Sequence, residues 1–336
     1  MSAPHKQQGI ALITVLMILA IMVTVASTMT GRMTSSLLRT EGVNYSDKIY
    51  WYGQATVEFS RMILEDDFED SDIVSLNQTW ATPDLVFPVD EGQITGNMVD
   101  FRSCFNVNAL ATQEDDDEDD EPLAVSQLKR LLEELDVEEG TADTIVESAR
   151  DWVDSDDSAD ESEGAEDRYY ESLQVPHLTA NNLMVDISEL RSVQGVTAEI
   201  YENIKDYLCA LPTSEQLINV NTVRQDKAAL LYSLFSEDLD FSVEDFEELI
   251  DDRPTSGWES VEEFLSEDLL DGESISDEEQ AQLSVTSDYF QFYGAAEFDQ
   301  RVIVLKLLFN IESEEATEIR FQYAGIDELV GAGEAQ

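Results

Sequence analysis

The feature that most constrains this chain is an uninterrupted apolar segment near its N-terminus. Residues 10–26 read Ile-Ala-Leu-Ile-Thr-Val-Leu-Met-Ile-Leu-Ala-Ile-Met-Val-Thr-Val-Ala, and Ser27, Thr28 and Met29 extend the segment. The resulting run of about 20 residues is long enough to cross a bilayer as one α-helix. We therefore predict a transmembrane helix over residues 10–29.

The helical pattern continues beyond this span. No proline occurs between Pro4 and Pro83. Apolar residues recur at spacings of three, four, seven and eight, which is the pattern of one helical face. They are Met33, Leu37, Tyr45, Ile49, Tyr52, Phe59 and Ile63. We predict one helix from Ile10 to about Leu64, roughly 80 Å long at 1.5 Å per residue, with its second half packed on a folded domain.

A cleaved signal peptide is the alternative interpretation of this N-terminus. Thr24-Val-Ala26 offers a passable small-residue cleavage site. Against it, the apolar run starts directly after Lys6-Gln-Gln-Gly9, with no separate basic region, and leads without a break into the amphipathic stretch. Retention of the helix is the favoured prediction.

Charge excludes several classes of function. Acidic residues number 74 and basic residues 18, which gives a formal net charge of −56. Such a chain repels phosphate backbones and anionic lipid headgroups, so we predict no nucleic-acid binding. Cations are its natural partners. Adaptation to a saline habitat explains the same composition and stays open as its cause.

Catalytic motifs are missing from the sequence. The two histidines are His5 and His177, and no nucleophile elbow, Walker A loop or zinc-binding His-Glu-x-x-His occurs. We predict that the chain is not an enzyme. The alternative is a membrane-tethered hydrolase that uses paired carboxyls such as those of Asp154 and Glu166.

The two cysteines, Cys104 and Cys209, permit one disulfide in an exported chain. A pair of buried, unbridged thiols is the alternative. The disulfide is favoured because the apolar N-terminal helix indicates export.

Two strand-rich zones flank a long helical segment in the body of the chain. Residues 86–107 are typical of a short hairpin or meander, and further strands are indicated within residues 289–323. The predicted fold class is α+β: a long N-terminal helix packed on a small antiparallel sheet, with a large all-α inserted domain.

The helical segment contains a faint repeat. Phe105-Asn-Val-Asn108 is echoed by Ile218-Asn-Val-Asn221, and residues 141–152 parallel residues 242–253. Small helical modules of this kind can bind DNA, but the acidic surroundings favour a scaffold for protein contacts.

Carboxylates are most concentrated within residues 151–170. Crowded acids on a loop are hard oxygen ligands that can surround Ca²⁺. The spacing is not that of an EF-hand, because alanine stands where that loop requires glycine and glutamate. A solvated acidic loop is the commoner outcome on physical grounds. The acidic runs 66–70 and 114–121 are interpreted as solvated.

The short leader ending in Gly9, followed by an apolar helix, resembles the leader of type IV pilin-like proteins. The resemblance implies cleavage after Gly9 by a prepilin peptidase and N-methylation of the new N-terminus, Ile10. Most such subunits carry glutamate at the fifth mature position, where this chain has Thr14. In the family that carboxylate is thought to meet the N-terminal amine of a neighbouring subunit inside the membrane, where unpaired charge is costly. A subunit without it suits the end of a filament.

A more specific resemblance follows from four segments of the body: Asp151-Trp-Val-Asp-Ser-Asp-Asp157, Gly164-Ala-Glu-Asp-Arg-Tyr-Tyr170, Ala180-Asn-Asn182 and Asp186-Ile-Ser-Glu-Leu-Arg-Ser-Val-Gln-Gly195. Together with the leader and the two Asn-Val-Asn motifs, they closely resemble the minor pseudopilin K family of the type II secretion system. The resemblance covers most of the chain from Lys6 to about Tyr323.

This resemblance implies a pseudopilin fold with a large helical insert and bound calcium. The implied calcium ligands are Asp154, Asp156, Asp157, Glu163, Glu166 and Asp167. The implied function is to cap the tip of the secretion pseudopilus and so to support protein export across the outer membrane. The implied partners are minor pseudopilins I and J, the major pseudopilin, the prepilin peptidase and the inner-membrane secretion platform.

The predicted domain map follows from these features. A leader occupies residues 1–9 and a flexible tail residues 328–336. The pseudopilin domain comprises residues 30–108 and 285–327, and the inserted helical, SAM-like domain comprises residues 109–284. The predicted location is the inner membrane, as a single-pass protein with its C-terminal domain in the periplasm. A subunit of a type IV pilus, a DNA-uptake system or an adhesion system shares the leader and stays as the alternative function.

Overall fold

The structure of the chain, a computed structural model, describes residues 8–90, 92–111, 121–159, 164–298 and 301–324. The chain forms two compact units, residues 1–56 and 57–336. Helix α1 (Gln8–Asp70) makes up the described part of the first unit, and its last residues belong to the second.

In the first unit, α1 presents an apolar surface. Every large apolar side chain from Ile10 to Val25 is at least half exposed. Threonine hydroxyls along this stretch donate to carbonyls of the preceding turn, as from Thr14 Oγ1 to the oxygen of Ala11 at 2.9 Å. An apolar exterior with internally satisfied polar groups suits the bilayer core. By length and composition, the helix is able to cross a membrane once.

The second unit is built on a five-stranded antiparallel sheet with the order β1-β2-β7-β8-β9. These strands are β1 (Leu85–Val89), β2 (Gly92–Asp100), β7 (Tyr289–Phe298), β8 (Arg301–Glu312) and β9 (Glu315–Ala324).

Residues 57–70 of α1 pack on one face of this sheet. The Phe59 ring stacks on Phe87 with centroids 4.2 Å apart, and Phe68 meets Phe290 edge to face at 5.7 Å. Arg61 Nε donates to the carbonyl of Ala316 at 2.9 Å, which fastens the helix to β9. The end of the apolar stripe therefore packs on the sheet through Phe59, whereas Met33 and Leu37 of the same stripe are exposed.

The helical insert lies between β2 and β7. Its helices are α2 (Leu123–Glu134), α3 (Glu139–Val153), α4 (Asp167–Tyr170), α5 (Ala198–Ile204), α6 (Ala228–Leu234), α7 (Val243–Asp251), α8 (Val261–Leu265) and α9 (Asp277–Ala281). It also contains four two-residue strands: β3 (Phe105–Asn106), β4 (Leu208–Cys209), β5 (Ile218–Asn219) and β6 (Leu283–Ser284). Four 3₁₀ helices complete the second unit: Thr79–Ala81, Val107–Ala111, Ile187–Ser192 and Gln225–Lys227.

The insert consists of two similar modules. The first module, residues 105–209, opens with β3 and closes with β4, which pairs parallel to it. The second module, residues 218–284, opens with β5 and closes with the parallel strand β6. Each opening strand carries an Asn-Val-Asn motif. The repeat predicted from the sequence is thus present in three dimensions.

Both modules contribute to one apolar core. Helices α2 and α3 of the first module pack together, as do α6 and α7 of the second, and α2 contacts α6 across the modules. Leu131, Val146, Leu230 and Phe246 are completely buried in this core. Burial of a leucine- or phenylalanine-sized side chain stabilises a fold by about 1.5–3 kcal/mol, so the shared core joins the modules into one body.

Polar contacts fasten the insert to the sheet where the chain passes between them. Asp100, at the end of β2, is buried and accepts hydrogen bonds from Ser287 Oγ at 2.6 Å and Thr222 Oγ1 at 2.5 Å. Arg102, also buried, donates to Asp288 at 2.7 and 3.0 Å. These contacts join the end of β2 to Thr222 of the insert and to the residues that lead into β7.

A disulfide lies at the same junction. The structure bonds Cys104, just after β2, to Cys209 in β4. The disulfide predicted from the two cysteines is confirmed.

The predicted fold class is confirmed, while two local interpretations are wrong. Residues 101–107 do not continue the first hairpin, because Phe105–Asn106 pairs with Leu208–Cys209 of the insert. Asp67 is not solvated, because its carboxylate accepts from the backbone of Thr79 and Trp80 at 3.1 and 2.7 Å. Residues 114–120 of the second acidic run lie outside the described residues, and Glu121 at its end is exposed while it pairs with Lys129.

Candidate functional site

The acidic loop begins where α3 ends. Asp154 caps this helix, with its N–H bonded to the carbonyl of Arg150 at 3.0 Å and an extended backbone that stops the helical turn. Trp152, in the last turn, packs edge to face on Tyr170 with centroids 5.5 Å apart, and Tyr170 contacts His177 at 4.9 Å. This aromatic layer joins α3 to α4 on either side of the loop.

Three carboxylates converge on this loop. Oxygen atoms of Asp154, Asp156 and Glu166 all lie within 4.8 Å of one another. Asp156 is exposed, Asp154 is partly buried and Glu166 is 7% exposed. Like charges at this separation repel one another strongly in a partly buried setting, so the arrangement calls for a cation or a proton.

The cost of bringing these carboxylates together is clearest in the pKa of Glu166. Burial raises the pKa of its carboxyl to about 7, assisted by the nearby carboxylates of Asp151 and Asp154 and opposed by the hydrogen bond from Thr179. Its Oε2 accepts from Thr179 Oγ1 at 3.2 Å, whereas its Oε1 is buried without a hydrogen-bond partner among the described residues. A buried carboxylate oxygen in this state is suited to a cation.

Gly164 permits the loop to approach α3 closely. A Cβ atom at this position would lie 2.3 Å from Oδ2 of the buried Asp151. A larger residue at this position would displace that carboxylate, which explains why position 164 is a glycine.

The remaining predicted ligands divide into two groups. Asp157 Oδ1 accepts from Asn181 Nδ2 at 2.8 Å, and Asp167 Oδ1 accepts from the N–H and the hydroxyl of Thr179 at 3.0 and 2.8 Å. Both therefore hold the segment that returns from the loop. Glu163 lies outside the described residues. The six-residue ligand set stays a prediction.

Two further residues belong to the site and were not among the predicted ligands. Asp151 is fully buried beside Gly164. Asn181 has a positive φ of 44°, donates to the backbone of Asp156, and leaves its Oδ1 buried without a partner among the described residues. Amide oxygens are calcium ligands. The acidic series begins with Asp151, and Ala180-Asn-Asn182 is distinctive, so the sequence carried the signal for both.

The first Asn-Val-Asn motif fixes the end of the returning segment. Asn108 Oδ1 accepts from the N–H of Met184 at 2.8 Å, and its Nδ2 donates to the carbonyl of Met184 at 2.9 Å. The acidic loop is therefore held at one end by α3 and at the other by a buried amide in the core.

Comparison with known proteins agrees with this architecture. Two family models described as type II secretion system (T2SS), protein K, match residues 103–213 and 218–286, which nearly coincide with the two modules. The type II secretion system protein K of Aeromonas hydrophila is 37% identical over 297 residues, covering 87% of this chain and 89% of that one. The chain belongs to the type II secretion system protein K family.

Other family members and a solved structure support the assignment. Protein K of Pectobacterium carotovorum subsp. carotovorum is 35% identical over 328 residues, covering 95% of this chain and 97% of that protein. The crystal structure of the GspK–GspI–GspJ complex from the enterotoxigenic Escherichia coli type 2 secretion system contains a chain that matches with a TM-score of 0.76. That chain is 31% identical, and the match covers 85% of this protein and 99% of that chain.

Proposed function

We propose that this protein, a minor pseudopilin of the type II secretion system, caps the tip of the secretion pseudopilus and supports protein export across the outer membrane. The role is structural. Its protein partners would be minor pseudopilins I and J at the tip, the major pseudopilin below, the prepilin peptidase and the inner-membrane secretion platform. The complex that contains the related E. coli chain includes GspI and GspJ, which supports the first two.

The observation that carries the proposal is the rigid insert. The two modules share one core. The hydrogen bonds from Thr222 to Asp100 and from the Asn219 N–H to the Arg102 carbonyl, with the Cys104–Cys209 disulfide, fasten them to the end of β2. A bulky body that cannot swing aside would obstruct a further subunit stacked on it. A terminal position in the filament accommodates such a body.

Thr14 agrees with a terminal position. Threonine has no carboxylate to offer to the N-terminal amine of a neighbouring subunit. Its hydroxyl donates instead to the carbonyl of Ala11 in the same helix. A subunit that is not followed by another has no need of that charge pair.

The capping role is tested by locating the protein on filaments. An epitope tag at the exposed turn around Gly272 would be gold-labelled on pseudopili assembled in cells that overproduce the major pseudopilin, with a tagged major pseudopilin as the control. We expect label at one end of each filament. Label distributed along the length, as in the control, contradicts the proposal.

We further propose that the protein is processed and oriented as a pilin-like subunit. Cleavage after Gly9 and methylation of Ile10 would leave the transmembrane helix at the mature N-terminus, with the C-terminal domain in the periplasm. Mass spectrometry of the mature chain decides between a methylated N-terminus at Ile10 and cleavage after Ala26. Protease digestion of spheroplasts tests the orientation, because a periplasmic domain is degraded without lysis.

We propose in addition that the acidic loop binds Ca²⁺. The converging oxygens of Asp154, Asp156 and Glu166, the orphaned Glu166 Oε1 and the orphaned Asn181 Oδ1 fit a hard cation that prefers oxygen ligands. Bound calcium would neutralise part of the repulsion and so order the loop.

Calorimetric titration of the full chain in a non-ionic detergent tests this site. We expect saturable Ca²⁺ binding that the substitution Glu166→Gln weakens at least tenfold, because it removes a charged ligand. Asp226→Asn removes one carboxylate far from the loop and should leave the affinity within about twofold. Equal weakening by both substitutions would identify diffuse counter-ion binding instead.

A further inference from the structure

A cleft of about 990 Å³ lies between the sheet and the insert. Tyr293, Lys306 and Gln322 lie side by side on β7, β8 and β9. Tyr293 is three positions from Phe290, which contacts α1, so this row points away from α1 to the other face of the sheet. The insert contributes the other wall through residues 186–191 and 201–210 and Lys227.

The lining of this cleft reverses the charge balance of the chain. The cleft is lined by four acidic and five basic residues. The basic ones are Arg191, Lys205, Lys227, Lys306 and Arg320. The chain as a whole has 18 basic and 74 acidic residues. At physiological ionic strength the Debye length is about 8 Å, so distant acids are screened and the local cations dominate the potential in the cleft.

Two of the five cations have internal partners. Lys306 Nζ lies 2.8 Å from Asp186 Oδ2, which ties β8 to the insert, and Lys205 pairs with Glu202. These pairs are structural, and they neutralise two of the four acids.

The other three cations have no carboxylate within ion-pair distance in the described part of the chain. Arg191 lies over the Tyr201 ring at 5.7 Å. Lys227 Nζ donates to the backbone carbonyl of Asp206 at 2.5 Å. Burial lowers the pKa of Lys227 and of Arg320, against the opposing effect of nearby acids. Lys227 and Arg320 are therefore partly desolvated, and such cations are stabilised by an anionic ligand. Arg191 is exposed and adds a third positive charge beside them.

The shape of the cleft favours an extended peptide over a small ion. Tyr201, Tyr293 and Tyr323 supply aromatic surface beside the cations. Strand β9 pairs with β8 on one side and forms an edge of the described sheet. An exposed strand edge offers backbone groups to an extended segment.

We propose that this cleft binds an extended, acidic peptide segment of a partner protein, with its carboxylates among Arg191, Lys227 and Arg320 and its apolar side chains against the tyrosines. The proposal does not depend on the capping role or on calcium. It identifies a docking site for a carboxylate-bearing segment on a chain whose overall charge repels such segments.

The test is calorimetric titration of the full chain in a non-ionic detergent at physiological ionic strength, where distant acids are screened, and at fixed calcium. The probe is the blocked pentapeptide acetyl-Glu-Leu-Glu-Leu-Glu-amide, compared with its glutamine counterpart, glutarate and inorganic phosphate. We expect saturable binding of the acidic peptide and binding at least tenfold weaker for the other three. Absence of saturable binding, or equal binding of the glutamine peptide, overturns the proposal. Equal binding of glutarate or phosphate also overturns it, because the cleft would then be a general anion site.

Variants locate the binding. Arg191→Gln changes an exposed side chain and is expected to fold normally; it should weaken peptide binding at least fivefold, and Arg191→Lys should restore part of the affinity. Arg130→Gln removes an equal charge on α2, outside the cleft, and should leave the affinity within about twofold. Equal weakening by Arg130→Gln and Arg191→Gln contradicts binding in the cleft.

Discussion

The two modules of the insert begin alike and close differently. In both, the second asparagine of an Asn-Val-Asn motif holds the N–H and the carbonyl of one distant residue: Asn108 holds Met184, and Asn221 holds Trp258. In both, the first asparagine accepts from the N–H of the second, at 3.3 and 3.0 Å. The two motifs therefore perform the same structural task.

The closing segments differ in length and chemistry. In the second module, six residues after α7 reach Trp258, and Gly257 makes the turn with a φ of +78°. Trp258 then packs on Phe264 and donates to Glu267 at 2.6 Å. This closure is complete within the described residues.

In the first module, residues 154–183 separate α3 from Met184. This longer segment places the carboxylates of Asp154, Asp156 and Glu166 together and leaves Glu166 Oε1 without a partner among the described residues. The same scaffold is thus closed by its own packing in the second module, and in the first by a longer acidic loop that we propose binds a cation.

The largest expected effect tests whether the two asparagines are equivalent. Asn108→Ala removes the partner of the Met184 N–H and of the Met184 and Leu211 carbonyls, and Asn221→Ala that of the Trp258 N–H and carbonyl. An unpaired buried group costs about 1–3 kcal/mol. We expect each substitution to lower the free energy of unfolding by about 2–4 kcal/mol, as measured by urea denaturation of the full chain in detergent with saturating calcium.

Asn182→Ala serves as the control for both, because Asn182 is exposed and, among the described residues, its side chain accepts a hydrogen bond from the N–H of Leu183 alone. Its effect should stay below about 1 kcal/mol. If Asn108→Ala resembled this control while Asn221→Ala did not, the two motifs would not be equivalent.

A smaller effect concerns the turn of the second module. Gly257→Ala places a Cβ atom 2.6 Å from the Asn221 side chain in a left-handed backbone conformation. We expect a loss of about 2 kcal/mol in the free energy of unfolding. Gly272→Ala has a similar φ of +84° but no atom within 4 Å of the new Cβ, so it isolates the backbone cost of about 1 kcal/mol. Equal losses would show that the approach of Gly257 to Asn221 is unimportant.

The smallest expected effect distinguishes the first asparagines of the two motifs. Asn106 Nδ2 donates to the carbonyls of Thr213 and Glu215, whereas Asn219 Nδ2 faces the buried carboxyl of Asp100. Burial raises the pKa of Asp100 from 3.8 to about 6, despite the hydrogen bonds from Ser287 and Thr222. The folded state therefore binds this proton more tightly than the unfolded chain does.

This contribution to stability is complete below pH 3.8 and is lost as the pH rises through 6. Between pH 7.5 and pH 5 the free energy of unfolding of the wild type should gain about 1 kcal/mol relative to Asp100→Asn, which cannot titrate. Paired urea titrations at the two pH values measure the difference. If the free energies of unfolding of the wild type and of Asp100→Asn changed equally between the two pH values, Asp100 would not be the group that binds the proton.

The sequence predicted the parts of the fold that rest on periodicity. The proline-free apolar stripe indicated α1, although the helix continues to Asp70 instead of ending near Leu64. The Asn-Val-Asn echo indicated the repeat. In both cases the signal is local and recurs along the chain, so it needs no knowledge of tertiary contacts.

The rest depended on contacts distant in sequence. In the sequence, Asp67 is one acid of a run that we predicted to be solvated. In the structure, its carboxylate accepts hydrogen bonds from backbone N–H groups 12 and 13 residues away. Asp157 and Asp167 stay predicted ligands, and nothing in the sequence indicated that one oxygen of each accepts a hydrogen bond from Asn181 or Thr179. Composition shows how many oxygens a loop offers, and only the fold shows which of them are already satisfied.

Hydrogen exchange of the full chain, followed by mass spectrometry with calcium and with a chelator, tests the contrast between the modules most directly. We expect chelation to raise the exchange rate about tenfold or more in peptides covering residues 164–186. The exchange rate of peptides covering residues 252–264 should stay unchanged. Glu166→Gln should exchange in calcium as the wild type does in chelator. Equal protection of both segments in the two conditions would contradict the claim that the first module needs a cation to close.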